Sequence, residues 1–142
     1  MTQEEKQLLL KDLSARLPYN VICHANEINL DGELLFINKV YSTVALYNDN
    51  ATGKFNTCPI TDVKPYLRPL SSVTNEECRQ LFMLLPTYFV IFPESIYAFN
   101  NSILPEHIEI ITDFYNSHYI DWRGLIPKGL ALEASENMYK TN

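Results

Sequence analysis

Glycine is scarce in this sequence. Gly32, Gly53, Gly124 and Gly129 are its four glycines. They are too scattered for a phosphate-cradling loop or a dinucleotide fingerprint, which need glycines a few residues apart so that backbone N–H groups can approach phosphate oxygens. Cations are also few: 11 Lys and Arg stand against 17 Asp and Glu, a formal net charge of −6. Residues 71–142 are the more acidic half, with four basic and nine acidic side chains. With no run of Lys or Arg to displace the counterions of a phosphate backbone, nucleic acid is disfavoured as a partner. Cysteine is limited to Cys23, Cys58 and Cys78, odd in number and far apart, unlike the framework of a disulfide-stapled secreted domain. The most apolar stretch, Leu81 to Phe92, is twelve residues long and interrupted by Pro86, short of the roughly 20 that cross a bilayer. The start, Met1 to Lys6, is acidic and polar where a secretory leader is basic and then apolar. The expectation is a cytoplasmic protein with no membrane span and reduced thiols.

What is present argues for a packed interior: 46% hydrophobic residues, with one Trp, nine Tyr and seven Phe, a composition that disordered chains do not share. Thr2 and Glu5 form a capping-box pair, and Leu9, Leu13 and Leu17 with Leu10 recur at helical spacing. Asp12 and Arg16 add an i,i+4 ion pair before Pro18 ends the run, so a helix is predicted over about residues 3–16. From Tyr19 to Leu67 the pattern changes to short Val, Ile, Tyr, Phe and Thr segments punctuated at Asp31-Gly32 and at Asn48 to Gly53. These predict strands near 20–26, 33–40, 42–48, 54–58 and 63–67, whose short connections favour an antiparallel meander curled into a small SH3-like barrel. Thr74 and Glu77 repeat the capping box ahead of a second helix carrying Cys78, Leu81, Phe82 and Leu85. A short hairpin is expected over Tyr88–Phe92 and Ser95–Phe99. A third helix is expected from Pro105, with Leu104, Ile108, Ile111 and Tyr115 inward and Glu106, Glu109, Thr112, Asp113 and Asn116 toward water. The tail after Ala134 carries little apolar content and is expected to fray. The fold class is therefore α+β. Residues 1–70 form a helix plus small barrel, residues 71–142 an α/β part packed on it, and the two together one compact unit.

Three segments carry a resemblance: MTQEEKQLLLKDLSARLPY at the start, VKPYLRPLSS in the middle, and HYIDWRGLIPKGLALEASENMY toward the end. They resemble a family of small uncharacterised proteins of gut Bacteroidetes genomes and their prophages or mobile elements. The D-[WY]-R-G-L-I-P-x-G-L-A-L-E-A stretch is the most specific part. The resemblance implies a cytoplasmic accessory protein of mobile-element type, and no activity or site comes with it.

Chemical constellations are sparse. Cys23, His24, Cys58, Cys78, His107 and His118 are possible metal ligands, yet zinc sites use pairs such as C-x2-4-C, and the adjacent Cys23 and His24 point to opposite faces of a strand. No G-x-S-x-G elbow or H-E-x-x-H helix occurs. Neither metal nor cofactor is expected, and the chain reads as non-enzymatic. His118 to Gly124 concentrates aromatic and charged groups, so Tyr119, Asp121, Trp122 and Arg123 are the candidate contact residues for a protein partner or a second copy. The competing structural reading gives Asp121 a capping role, puts Trp122 in the core and pairs Arg123 with an acid. The aromatic set Phe82, Tyr88, Phe89, Phe92, Tyr97 and Phe99 belongs to the core or to such a contact patch. If the barrel instead bound nucleic acid, Lys39, Lys54, Lys64 and Arg68 are its obvious phosphate contacts. Small-ligand capture in a cleft is the third alternative.

Overall fold

A computed structural model describes residues 1–49, 52–85 and 105–139, and the element order is mixed α and β. Helix α1 spans Gln3–Arg16, with Thr2 as N-cap and its capping box with Glu5 formed in both directions, 2.8 and 3.1 Å. Strands follow at β1 (Ile22–Ala25), β2 (Leu30–Asn38), β3 (Thr43–Asp49), β4 (Lys54–Pro59) and β5 (Val63–Leu67), with a 3-10 turn over Ile60–Asp62 between the last two. Helix α2 spans Asn75–Leu84, α3 Pro105–Ser117, and a two-residue strand, β6, Leu132–Glu133. The strands make one sheet in the order β4-β3-β2-β1-β5-β6, antiparallel except for the β5–β6 pair. It is an open sheet: β4 and β6 are its two edges and do not pair with each other, so barrel closure is not seen.

The chain divides into two units, Met1–Leu67 with Arg123–Asn142, and Arg68–Trp122. In the first, alternate residues of the strands, among them Cys23, Ala25, Leu34, Val44, Leu46, Val63 and Leu67, are buried. The buried side of α1 is Leu9, Asp12, Leu13 and Arg16, one helical stripe in which two of four positions are charged. In the second unit Leu81 and Leu85 pack with Ile111, Phe114, Tyr115 and Ile120. Leu85, which precedes Pro86, is extended (ψ 157°) and ends α2.

Several expectations change. Asp31-Gly32 is not a turn: both residues lie inside β2, opposite His24 and Cys23, and the chain turns earlier, over Asn26–Asn29, where Asn29 is left-handed at φ 47°. On α3, Ile108 is 50% exposed whereas Asn116 is buried and accepts from the indole of Trp122. Ile111 and Tyr115 face inward as expected, and His107 and Phe114 join them on the buried side that Ile108 was expected to share. The tail is tied down: Ala134 N–H donates to Leu67 O at 2.8 Å, and Tyr139 is bonded to β1 and β5. The expected hairpin over 88–99, and with it Tyr88, Phe89, Phe92, Tyr97 and Phe99, lies outside the described residues.

Candidate functional site

Residues opposite one another in an antiparallel ladder share a face. The registers Ile22↔Glu33, His24↔Asp31 and His24↔Lys64 therefore set Ile22, His24, Asp31, Glu33 and Lys64 on one face of the first unit's sheet, away from buried Cys23, Gly32 and Leu34. A β-bulge between Leu34 and Phe36 carries this face on into β3 and β4. The extra residue reverses the alternation, so Phe36 pairs with Ala45 on the outer side rather than turning inward. Phe36 then meets Phe55 edge to face at 5.4 Å, the two rings 40% and 47% exposed, a diagonal contact across β3, where Ala45 is opposite Phe36 and Tyr47 opposite Phe55. Val40 and Tyr41, at the β2–β3 connection, are 84% and 76% exposed.

Along the same face Tyr47, the cross-strand partner of Phe55, forms one wall of an open groove of about 430 Å³ with Ile22, Asp31, Gly32, Glu33, Asn48 and Met138. Asp31 is held by two donors on one oxygen: His24 Nδ1–H at 2.7 Å and the Tyr66 hydroxyl at 2.9 Å both reach Oδ1. Burial, then the hydrogen bond and charge of Asp31, push the Tyr66 hydroxyl above the ordinary tyrosine range, so it stays a donor. The tail reaches this face through Tyr139, whose hydroxyl accepts from Ile22 N–H at 3.0 Å and donates to Tyr66 O at 2.7 Å. The β1–β5 ladder runs from Ala25↔Val63 to Cys23↔Pro65, and the next pair would be Ile22 and Tyr66. The phenol bridges their backbone groups where the direct pairing has stopped.

The residues singled out from sequence are engaged within their own units. Arg68 N–H donates to Tyr119 O and Asp121 N–H to Arg68 O, both 2.7 Å, which makes a parallel bridge between Arg68 and Ile120. Tyr119 is left-handed at φ 61°, Asp121 is buried, and Trp122 packs half-buried against the second unit's core. Arg123 belongs to the first unit, where its Nε donates to buried Asp12 at 3.2 Å.

The basic set does not form one patch. Lys39 lies by the β2–β3 turn, Lys54 starts β4 at the opposite end of that hairpin, and Lys64 is on β5, four strands from β4, about 19 Å at ordinary strand spacing. Arg68 is committed to Glu77 through two bonds of 2.8 and 2.7 Å and also donates to Ser72 O at 2.9 Å.

The Arg68 guanidinium, with the Thr74 cap, holds the Glu77 carboxyl at about 2, below the usual carboxylate range. A lowered folded-state value contributes stability above the unfolded value, about 4.5, that disappears as pH falls through about 2. Both side chains are partly open to water, so the contribution is about 1–2 kcal/mol. Urea titrations of wild type and Glu77→Gln from pH 6 to 2.5 should converge as pH falls; a constant difference would contradict this assignment.

Burial pushes all three thiols above the ordinary cysteine range, with Asp12 adding to the effect at Cys23, Asp62 and Glu27 at Cys58, and Glu77 at Cys78. The thiolate, the nucleophilic form, is disfavoured at each. Cys23 is buried while His24 bonds outward to Asp31. Among the described residues no three His, Cys, Asp or Glu side chains gather as a metal site, and no helix is long and apolar enough to cross a membrane. Sequence reasoning missed the His24–Asp31–Tyr66 cluster, the Phe36–Phe55 pair and Tyr139, each of which depends on a residue brought in from a later segment of the chain. Comparison with family models, curated proteins and solved structures finds no match.

Proposed function

We propose that this chain is a non-enzymatic protein-interaction domain whose contact surface is the outer face of the sheet, at the end formed by β2, β3 and β4. The observation that carries the proposal is the exposed Phe36–Phe55 pair with Val40 and Tyr41 beyond it, an apolar surface of the kind that partners cover. An SH3-like architecture fits the order β4-β3-β2-β1-β5 and the 3-10 turn between β4 and β5. The raised thiol values disfavour a cysteine nucleophile. A cytoplasmic accessory protein of mobile-element type, suggested by the terminal and central segments, would act in this way.

The test compares wild type with the Phe36→Ser/Phe55→Ser variant as baits in quantitative affinity capture from the native host. Both rings lie on the solvent side of the sheet, so the variant keeps the wild-type circular dichroism and a cooperative melt, at a temperature lowered by the loss of the ring pair but above that of the capture. At least one captured protein should bind the variant about 30-fold more weakly, as loss of a hot spot of about 2 kcal/mol requires. Light scattering separates a second copy from a different partner, since self-association would turn into a monomer in the variant. Identical capture and identical mass for the two baits would defeat the proposal.

A further inference from the structure

We infer that the groove between β2, β3 and the tail is a subsite for an arginine side chain presented by the partner, an inference that rests on the interaction reading and specifies its chemistry. Four properties of the groove fit a guanidinium on an aliphatic stem. Glu33 lines it, and among the described residues its carboxylate has neither a hydrogen bond nor an ion pair. Asp31 lines it too, and because His24 and Tyr66 both donate to Oδ1, the carboxylate is fixed while Oδ2 keeps its lone pairs for a ligand. Asp31 and Glu33 are two apart on one strand, about 7 Å along it, so a planar group between them can donate to both, as the forked donors of arginine do and a lysine ammonium does less well. Tyr47 supplies an aromatic wall on which a guanidinium can stack, and Ile22 and Met138 supply apolar surface for the three methylenes.

A further observation ties the groove to a protein partner rather than to a free amine. Tyr47 is the direct cross-strand neighbour of Phe55, so the groove continues the exposed aromatic surface on the same face. An extended segment lying over Phe36 and Phe55 can drop one side chain beyond Tyr47 into the groove.

The experiment is an amide chemical-shift titration of the full chain with three short capped peptides that differ only in a central arginine, lysine or citrulline. The arginine peptide should give saturable shifts centred on residues 22, 31–33, 47 and 48. The lysine peptide should bind several-fold more weakly and citrulline not detectably. Glu33→Gln, which breaks no bond of the fold, should weaken the arginine peptide about tenfold, the loss of one charge-assisted hydrogen bond. Absence of saturable shifts, citrulline binding equal to arginine, lysine binding equal to arginine, or an unaffected Glu33→Gln variant would each overturn the assignment. Because the interaction reading is tested by Phe36 and Phe55 in capture, a silent groove with continued partner loss in the double variant removes only the subsite.

Discussion

Replacing Asp12 by alanine should lower the stability of the fold by about 3–5 kcal/mol, a large part of the roughly 5–15 kcal/mol that holds a domain of this size together. The carboxylate is wholly buried and takes a two-point contact from Arg16, 2.8 and 3.1 Å, whose side chain is buried as completely. It takes a third bond from Arg123, 3.2 Å away. Burial works against the charge of Arg123 and lowers its proton affinity, while Asp12 works in the opposite direction. Removing this anion leaves the Arg16 and Arg123 guanidinium groups drawn to a position now filled by a methyl group. Arg123→Ala should cost less, because the Arg123 side chain is 13% exposed and its loss leaves Asp12 with the closer Arg16 contact. Urea unfolding of the two single variants and the double variant measures the coupling, and a cost below about 1 kcal/mol for Asp12→Ala would mean that the ion group behaves as a surface pair.

Gly32→Ala should destabilise by roughly 2–3 kcal/mol, at the upper end of what a single added methyl does. A Cβ on Gly32 would collide with the backbone carbonyl oxygen of Tyr47 and stand 3.3 Å from the Leu46 Cβ. The obstacle is main chain, so no rotamer change removes it and β2 and β3 would have to part. Gly53 offers a control. It has open space around its Cβ position but a left-handed backbone at φ 69°, so Gly53→Ala costs only the strain of that conformation, about 1 kcal/mol. Thermal melts of the two variants rank them. Equal costs would show that the β2–β3 approach at Gly32 relaxes freely.

The elements whose signals are local were legible. Both capping boxes bond as Thr2-x-x-Glu5 and Thr74-x-x-Glu77 foretell, α1 has the expected bounds, and five strands occur close to where alternation and turn residues put them. What misled was local pattern with a non-local cause. Asp31-Gly32 has the composition of a turn, yet Gly32 is there because another strand's backbone comes close, a requirement invisible without β3 in place. The Asp12–Arg16 spacing announced an ion pair. Its burial could have been suspected, since Leu9, Asp12, Leu13 and Arg16 share one helical stripe while the predicted apolar stripe needed Leu17 and Leu10, both only half-buried. The outer face was not legible at all, because it depends on a bulge at Leu34–Phe36 and on three strands coming into register.

The first unit is built from both ends of the chain, with residues 68–122 set between β5 and β6. During synthesis, then, α1 and five strands leave the ribosome well before Arg123 can reach Asp12 or Tyr139 can bridge β1 and β5. Through that interval the buried carboxylate has Arg16 but not its second cation, and the β1–β5 junction has no phenol. Completion of this half of the molecule is therefore a late event, and a nascent chain stalled near residue 120 would hold an unfinished sheet that invites chaperones or proteases.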